Sequence, residues 1–220
     1  APSIAAASAT LATAPATAGP NAHGQLILHS QPNLQGSAYD DPAGHSAIVR
    51  CEDAVTRMPE WPEPVWWYVL ASFPEGAAPH ATGVTFGIEY DDTRLRVLDA
   101  GFAGHDQVTR SPDWPQSGSA VLVQFGSIQT DRLFEIGWFY GEQIDQGLPV
   151  TFQVGPNQAG VAQFLDATTA DEIEFLGTLG FGMDGSILCD PVIFGACCVG
   201  DEGGCTRATA SDCATAGGLF

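Results

Sequence analysis

The chain has 220 residues, of which 26 are acidic against seven arginines and no lysine, giving a formal net charge of −19. A surface of that sign repels a phosphate backbone and offers no basic patch to anionic lipid, which sets aside nucleic acids and lipid adhesion as partners. The length fits one good-sized domain with small appendages, and no apolar run is long enough for membrane insertion.

Residues 1–22 are mostly Ala, Thr, Ser and Pro and carry no charge. So little of this segment can be buried that it reads as an extended arm, a linker or an O-glycosylated tether. Ile4, Thr10, Leu11 and Thr13 are its side chains best able to engage a neighbour. The sequence opens on Ala1 and reaches no charged residue before Asp40, the pattern of an exported protein after removal of its signal peptide.

Residues 23–195 are dense in strand signals. Val84, Phe86, Ile88 and Tyr90 alternate with Thr85, Gly87 and Glu89, and Phe134, Ile136, Trp138 and Tyr140 alternate with Glu135, Gly137 and Phe139. A period of two places one face inward and the other outward. Shorter runs at 25–29, 47–50, 65–71, 95–98, 120–125, 150–154, 161–165 and 173–182 are separated by turn chemistry such as Asp91-Asp92-Thr93 and Gly155-Pro156-Asn157. The spacing predicts an all-β, antiparallel sandwich of nine or ten strands, with one helical turn at 168–172.

Two loops stand out within this body. Pro59-Glu60-Trp61-Pro62 and Pro112-Asp113-Trp114-Pro115 each hold a tryptophan between prolines and beside an acid. Proline denies ladder hydrogen bonds, so both segments are loops. A stiffly held ring serves either as a stacking platform for a glycan or partner, or as a cap folded over the open end of the sandwich. Trp66, Trp67, Tyr68 and Trp138 fall within strand runs and read as packing residues.

Chemistry-bearing motifs are scarce. Asp91, Asp92 and Asp184 supply oxygen ligands in turns and are the calcium candidates, although no D-x-D-x-D-G loop surrounds them. The five histidines are scattered; His23 and His29 share strand parity but lie about 20 Å apart at roughly 3.3 Å per residue. No G-x-S-x-G elbow, P-loop or G-x-G-x-x-G occurs, so the expectation is a protein without catalytic activity or cofactor. A secreted glycosidase, which needs only two carboxylates, is the enzymatic alternative.

Six cysteines complete the pattern. Cys51 and Cys189 sit at opposite ends of the body and close a long loop if bridged, while Cys197, Cys198, Cys205 and Cys213 crowd residues 196–220, where large apolar side chains are few. That segment must be held by cross-links or metal. Neighbouring cysteines rarely bond each other, so Cys197 and Cys198 each reach to Cys205 or Cys213; a four-thiolate zinc site is the rival, lacking paired C-x2-C spacing. An even count fits three disulfides and an oxidising compartment.

The run Val84-Thr85-Phe86-Gly87-Ile88-Glu89-Tyr90-Asp91-Asp92, followed by Leu95-Arg96-Val97-Leu98, resembles the strand-turn-strand of cohesin-like and related carbohydrate-module sandwiches. The segment Gly195-Ala196-Cys197-Cys198, continuing through Cys205 and Cys213 to Gly217-Gly218, is similar to a cysteine-rich repeat that ends exported bacterial β-sandwich proteins. These resemblances imply an Ig- or cohesin-like sandwich at 23–195 between an arm at 1–22 and a disulfide knot at 196–220.

The function expected is that of a secreted structural subunit of an extracellular or cell-surface filament or layer. Its partner is another copy of itself, engaged through the arm, because an open sheet edge accepts a strand and head-to-tail contacts that do not close make filaments. A carbohydrate-binding or adhesion module using Trp61 and Trp114 is the alternative.

Overall fold

The structure is a computed structural model and describes residues 19–35, 44, 46–58, 63–145, 147–189, 194–199 and 204–209. Alternation drives the central strands into two facing sheets. In β4 (Ala81–Tyr90) Val84, Phe86 and Ile88 are fully buried, whereas Thr85 and Glu89 reach solvent.

The first sheet runs β12 (Phe175–Leu176), β1 (Gln25–Gln35), β3 (Val65–Ser72), β8 (Leu133–Gln143) and β5 (Leu95–Phe102). In the second, β4 is central. On one side lie β7 (Ala120–Gln129) and then β6 (His105–Arg110); the other side is shared by β10 (Gln163–Leu165) with β11 (Ala170–Glu172), and by β9 (Val150–Gly155) with β13 (Thr178–Phe181) and β2 (Arg57–Met58). The two sheets pack as a β-sandwich around Phe86, Phe139, Phe152, Phe164 and Phe181. Trp67 lies within that core, stacked on Phe139 at 5.8 Å between ring centres and edge-on to Phe152 at 5.2 Å.

Several local expectations change. The pairing is antiparallel except for two short parallel contacts, β1 with β12 and β13 with β2. Residues 47–50 are not a strand: Ala47 has φ +54, and the segment is a loop lying over the first sheet. The helical turn expected at 168–172 is instead a tight turn entering β11, with Asp166 N–H donating to the Thr169 carbonyl at 2.9 Å. The run 173–182 breaks at Gly177 into β12 and β13, one strand for each sheet. At the C-terminal end β14 (Phe194–Val199) and β15 (Gly204–Thr209) form a separate hairpin.

Strand β3 is buried at every position, on both faces. Its outward side chains Trp66, Tyr68 and Leu70 join Ile27 in a second apolar cluster, covered by Ile48, Cys51 and Ala54 from one loop and Ile187 and Cys189 from another. The Cys51–Cys189 disulfide ties these two covers together with a Cα–Cα distance of 5.3 Å. Glu135 anchors the first cover by accepting the Gly44 and Ser46 N–H groups at 2.8 and 3.1 Å.

The bridge spans 138 residues of sequence. In the chain-entropy account a loop of that length stabilises the fold by about 5 kcal/mol. Replacing both cysteines by serine is expected to lower the urea midpoint by an amount corresponding to most of that figure, with the far-ultraviolet spectrum of a β protein retained.

His29 pins the same cover from below. Its Nδ1 accepts the Val55 N–H at 2.9 Å, its other polar contact is the Ser46 backbone, and its ring stacks over Tyr68 at 6.5 Å. Burial penalises the charged imidazolium and holds its pKa down at about 4, the Ser46 contact opposing only in part. The unfolded chain therefore binds this proton first as pH falls. No cost exists above about pH 6.5, and a loss growing to at most about 3 kcal/mol develops between pH 6.5 and 4. Urea titrations at pH 7 and 4.5 are expected to show a stability loss that is smaller in H29Q; equal losses in the two proteins would remove His29 from this role.

Candidate functional site

Two places on the sandwich combine unusual local chemistry with access to solvent. The first is the root of the arm. Asp171 on β11 accepts the Gly19 N–H at 2.8 Å and the Asn21 N–H at 3.0 Å, one on each carboxylate oxygen. The Asn21 side chain is fully buried and brackets His80: its Oδ1 accepts the His80 N–H at 2.8 Å and its Nδ2 donates to the His80 carbonyl at 3.3 Å. His23, with φ +65, places Nδ1 2.7 Å from Glu174 Oε1. Gly24 fits between the Phe73 and Phe164 rings, where a Cβ would come within 2.6 Å of each. Residues 19–22, assigned to the arm by composition, therefore belong to the body.

A second histidine–carboxylate pair lies beside this root. His80 Nδ1 is 2.8 Å from Asp166 Oδ1. The Asp166 carboxyl sits below the usual range because the Ala167 N–H donates to it and, second, because of His80. An oriented imidazole of this kind is the raw material of a general base. Here its hydrogen-bonding role joins the loop before β4 to the β10–β11 turn, the turn that presents Asp171.

The second place is the flank between β5 and β6, where each sheet ends. Val97 and Ala100 on β5, Val108 on β6 and Trp114 on the following loop are core residues that reach the surface there, half-buried. Trp114 wedges between the sheets, with its ring centre 5.7 Å from Phe139, 5.8 Å from Phe102 and 6.3 Å from Phe86. The wedge is locked from the Tyr90 side: the phenol donates to the Pro115 carbonyl at 2.9 Å, and Ser117 Oγ bonds both the Tyr90 N–H and its carbonyl. Burial raises the Tyr90 pKa, so the phenol stays a donor. Arg110 lays its guanidinium over Phe102 at 5.4 Å.

Trp114 is thus an inward wedge rather than an exposed platform, because three phenylalanines offer it more apolar contact than solvent does. Trp61 lies outside the described residues, as do Ile4, Thr10, Leu11, Thr13 and Cys213. Asp91 spends its carboxylate on its own turn, accepting from the Thr93 N–H and hydroxyl and lying 3.3 Å from Arg94 Nε. Asp92 is exposed beside it, and Asp184 pairs with Arg57 at 3.0 Å. The calcium candidates do not converge: among the described residues no group of three or more His, Cys, Asp or Glu side chains is placed to hold a metal. In the hairpin Cys198 is bonded to Cys205, and Cys197 is also in a disulfide, so these three thiols do not form the zinc alternative. No helix among the described residues is long and apolar enough to cross a membrane.

Sequence reasoning missed Asp171 and Asn21 as the arm's fastening, since their partners lie 150 and 59 residues away. It also missed β6, whose His-Asp-Gln-Val-Thr-Arg shows no apolar alternation because this edge strand leaves every residue but Val108 exposed.

No family model matches the chain, and no curated protein matches it. Among solved structures, it is similar to a cohesin module from a Clostridium perfringens family 33 glycoside hydrolase, with 7% identity, a TM-score of 0.48 and coverage of 73% of this chain and 96% of that one. A cohesin–dockerin complex from Clostridium thermocellum aligns at 9% identity and 0.47, covering 77% and 98%, and a non-cellulosomal cohesin from Archaeoglobus fulgidus at 7% and 0.37, covering 71% and 91%. The strand pairings themselves define the fold.

The wedge and the platform make opposite demands on Trp114. Trp114→Ala is expected to destabilise the fold by about 3 kcal/mol, at the lower end for a large aromatic because the ring is only half-buried. A melting temperature unchanged in that variant would return the ring to the role of ligand platform.

Proposed function

We propose that this protein is an exported structural subunit without catalytic activity, and that its copies are joined through residues 1–18. The observation that carries this reading is the fastening at residues 19–24. Two backbone N–H groups share one carboxylate, a buried asparagine brackets His80, and two histidine–carboxylate pairs flank them, so Gly19, where the arm begins, is held at a fixed point on the sandwich. A tether of such composition left loose at its root would search a large volume, and fixing the root lowers the entropy cost of engaging a neighbour.

Two further features favour the reading. Every described cysteine is in a disulfide, as suits an oxidising compartment outside the cytoplasm. Both sheets end on one flank in strands of six residues or more, β5 and β6, with backbone groups available to another strand.

The test is sedimentation and negative-stain microscopy of the whole chain beside a chain lacking residues 1–18. The cut falls before Gly19 so that buried Asn21 and the Asp171 contacts stay intact. The expected outcome is assembly by the whole chain and a folded monomer after truncation. Monodisperse particles in both samples, or polymers in both, would overturn the proposal.

A further inference from the structure

The acceptor of the arm can be argued from the direction in which each edge strand runs. The root lies at the pole of the sandwich that carries the 73–80 loop, near Pro74, Gly76 and Ala77. The opposite pole carries the 91–94 and 144–149 loops, tied together by Ile144 N–H donating to the Arg94 carbonyl at 2.7 Å. Three of the eight large apolar side chains exposed among the described residues lie at that opposite pole: Ile144 at 50% exposure, Leu148 at 45% and Met183 at 38%. A root at one pole and an apolar surface at the other favour copies stacked pole to pole, a heterologous contact that does not close on itself.

In such a stack the arm of one copy enters its neighbour at the pole where β5 begins, at Leu95, and proceeds toward Phe102 with its own chain direction reversed. The arm would therefore run antiparallel to β5 and parallel to β6, which starts from the other end at His105. Antiparallel ladders are the more stable of the two per residue. Resting on the reading above, we infer that residues 3–12 of one copy add to the β5 edge of the next as an antiparallel sixth strand of the first sheet.

Lengths agree with this placement. The root leads directly into β1, and a strand added outside β5 lies four spacings from β1 in the first sheet. Crossing four spacings of about 4.8 Å takes roughly 19 Å, or about six extended residues, which consumes 13–18. Pro2 and Pro15 bracket the twelve residues 3–14, a stretch free of the residue that cannot donate to a ladder. β5 is eight residues long, interrupted by the bulge at Leu98. Alternate positions Ala5, Ala7, Ala9 and Leu11 would then cover Val97, Ala100 and Trp114, where the core comes to the surface. Arg96 does not obstruct that face, because it is paired with Glu142 on the outer side of the sheet.

A photoreactive phenylalanine placed at position 5 or 12 of the whole chain tests this, with isotopically labelled and unlabelled copies mixed to separate links between chains from links within one. Links between copies to residues 95–102 are expected, position 5 landing nearer Phe102 and position 12 nearer Leu95. Val97→Asp is expected to lower the assembled fraction at least tenfold, and Thr109→Asp on β6 to leave it within twofold. The reverse order of links, or links between copies to 105–110, would overturn the β5 assignment while leaving assembly through the arm in place. Links confined to one chain would mean that the arm folds back on its own body, overturning the inference. A whole chain that stays monomeric would overturn both the inference and the reading beneath it.

Discussion

Burial of β3 on both faces is the constraint from which the rest of the molecule follows. A strand reading Val-Trp-Trp-Tyr-Val-Leu-Ala-Ser cannot leave either side in water at a tolerable cost, since each large aromatic carries a substantial transfer free energy. One side is satisfied by the second sheet, with Trp67 among Phe139, Phe152 and Phe181. The other requires a cover that has no regular structure of its own. The protein supplies it from two loops distant in sequence and fixes them with a disulfide, a carboxylate that accepts two N–H groups, and a neutral imidazole.

The outer face near β1 and β3 is occupied in this way, while the flank of β5 and β6 carries the free ends of both sheets. The arm root and the Trp114 wedge occupy different ends of that geometry, and each rests on hydrogen bonds between residues far apart in the chain. Asp171 exists in its position because β11 pairs with β10, and β10 with β4. The short strands on that side are thus less a part of the core than a bracket that orients the first residues of the body.

Much of this was legible in the residues. The alternation in β4 and β8 predicted two-sided strands, the spacing of turns predicted a sandwich, and the strand tryptophans read as packing. What was not legible has common physical causes. An edge strand such as β6 loses its alternation because only Val108 among its six residues is drawn toward the core. Residues 47–50 are apolar without being a strand, because they cover a sheet instead of joining it. Proline fixed Trp114 in a loop but said nothing of which way the ring turns, a choice made by Phe86, Phe102 and Phe139 from three other segments.

The bridge between Cys51 and Cys189 has a topological consequence apart from its effect on stability. It makes one covalent ring of every strand from β2 to β13, with β1 and the β14–β15 hairpin attached as tails. A protease that cuts an exposed turn within that ring, at 91–94 or 112–118 for example, releases no fragment, and the two pieces stay joined as a single molecule. Such a nicked chain loses little entropy of association when it re-forms its sheets, so damage at the surface of this protein need not become loss of the protein.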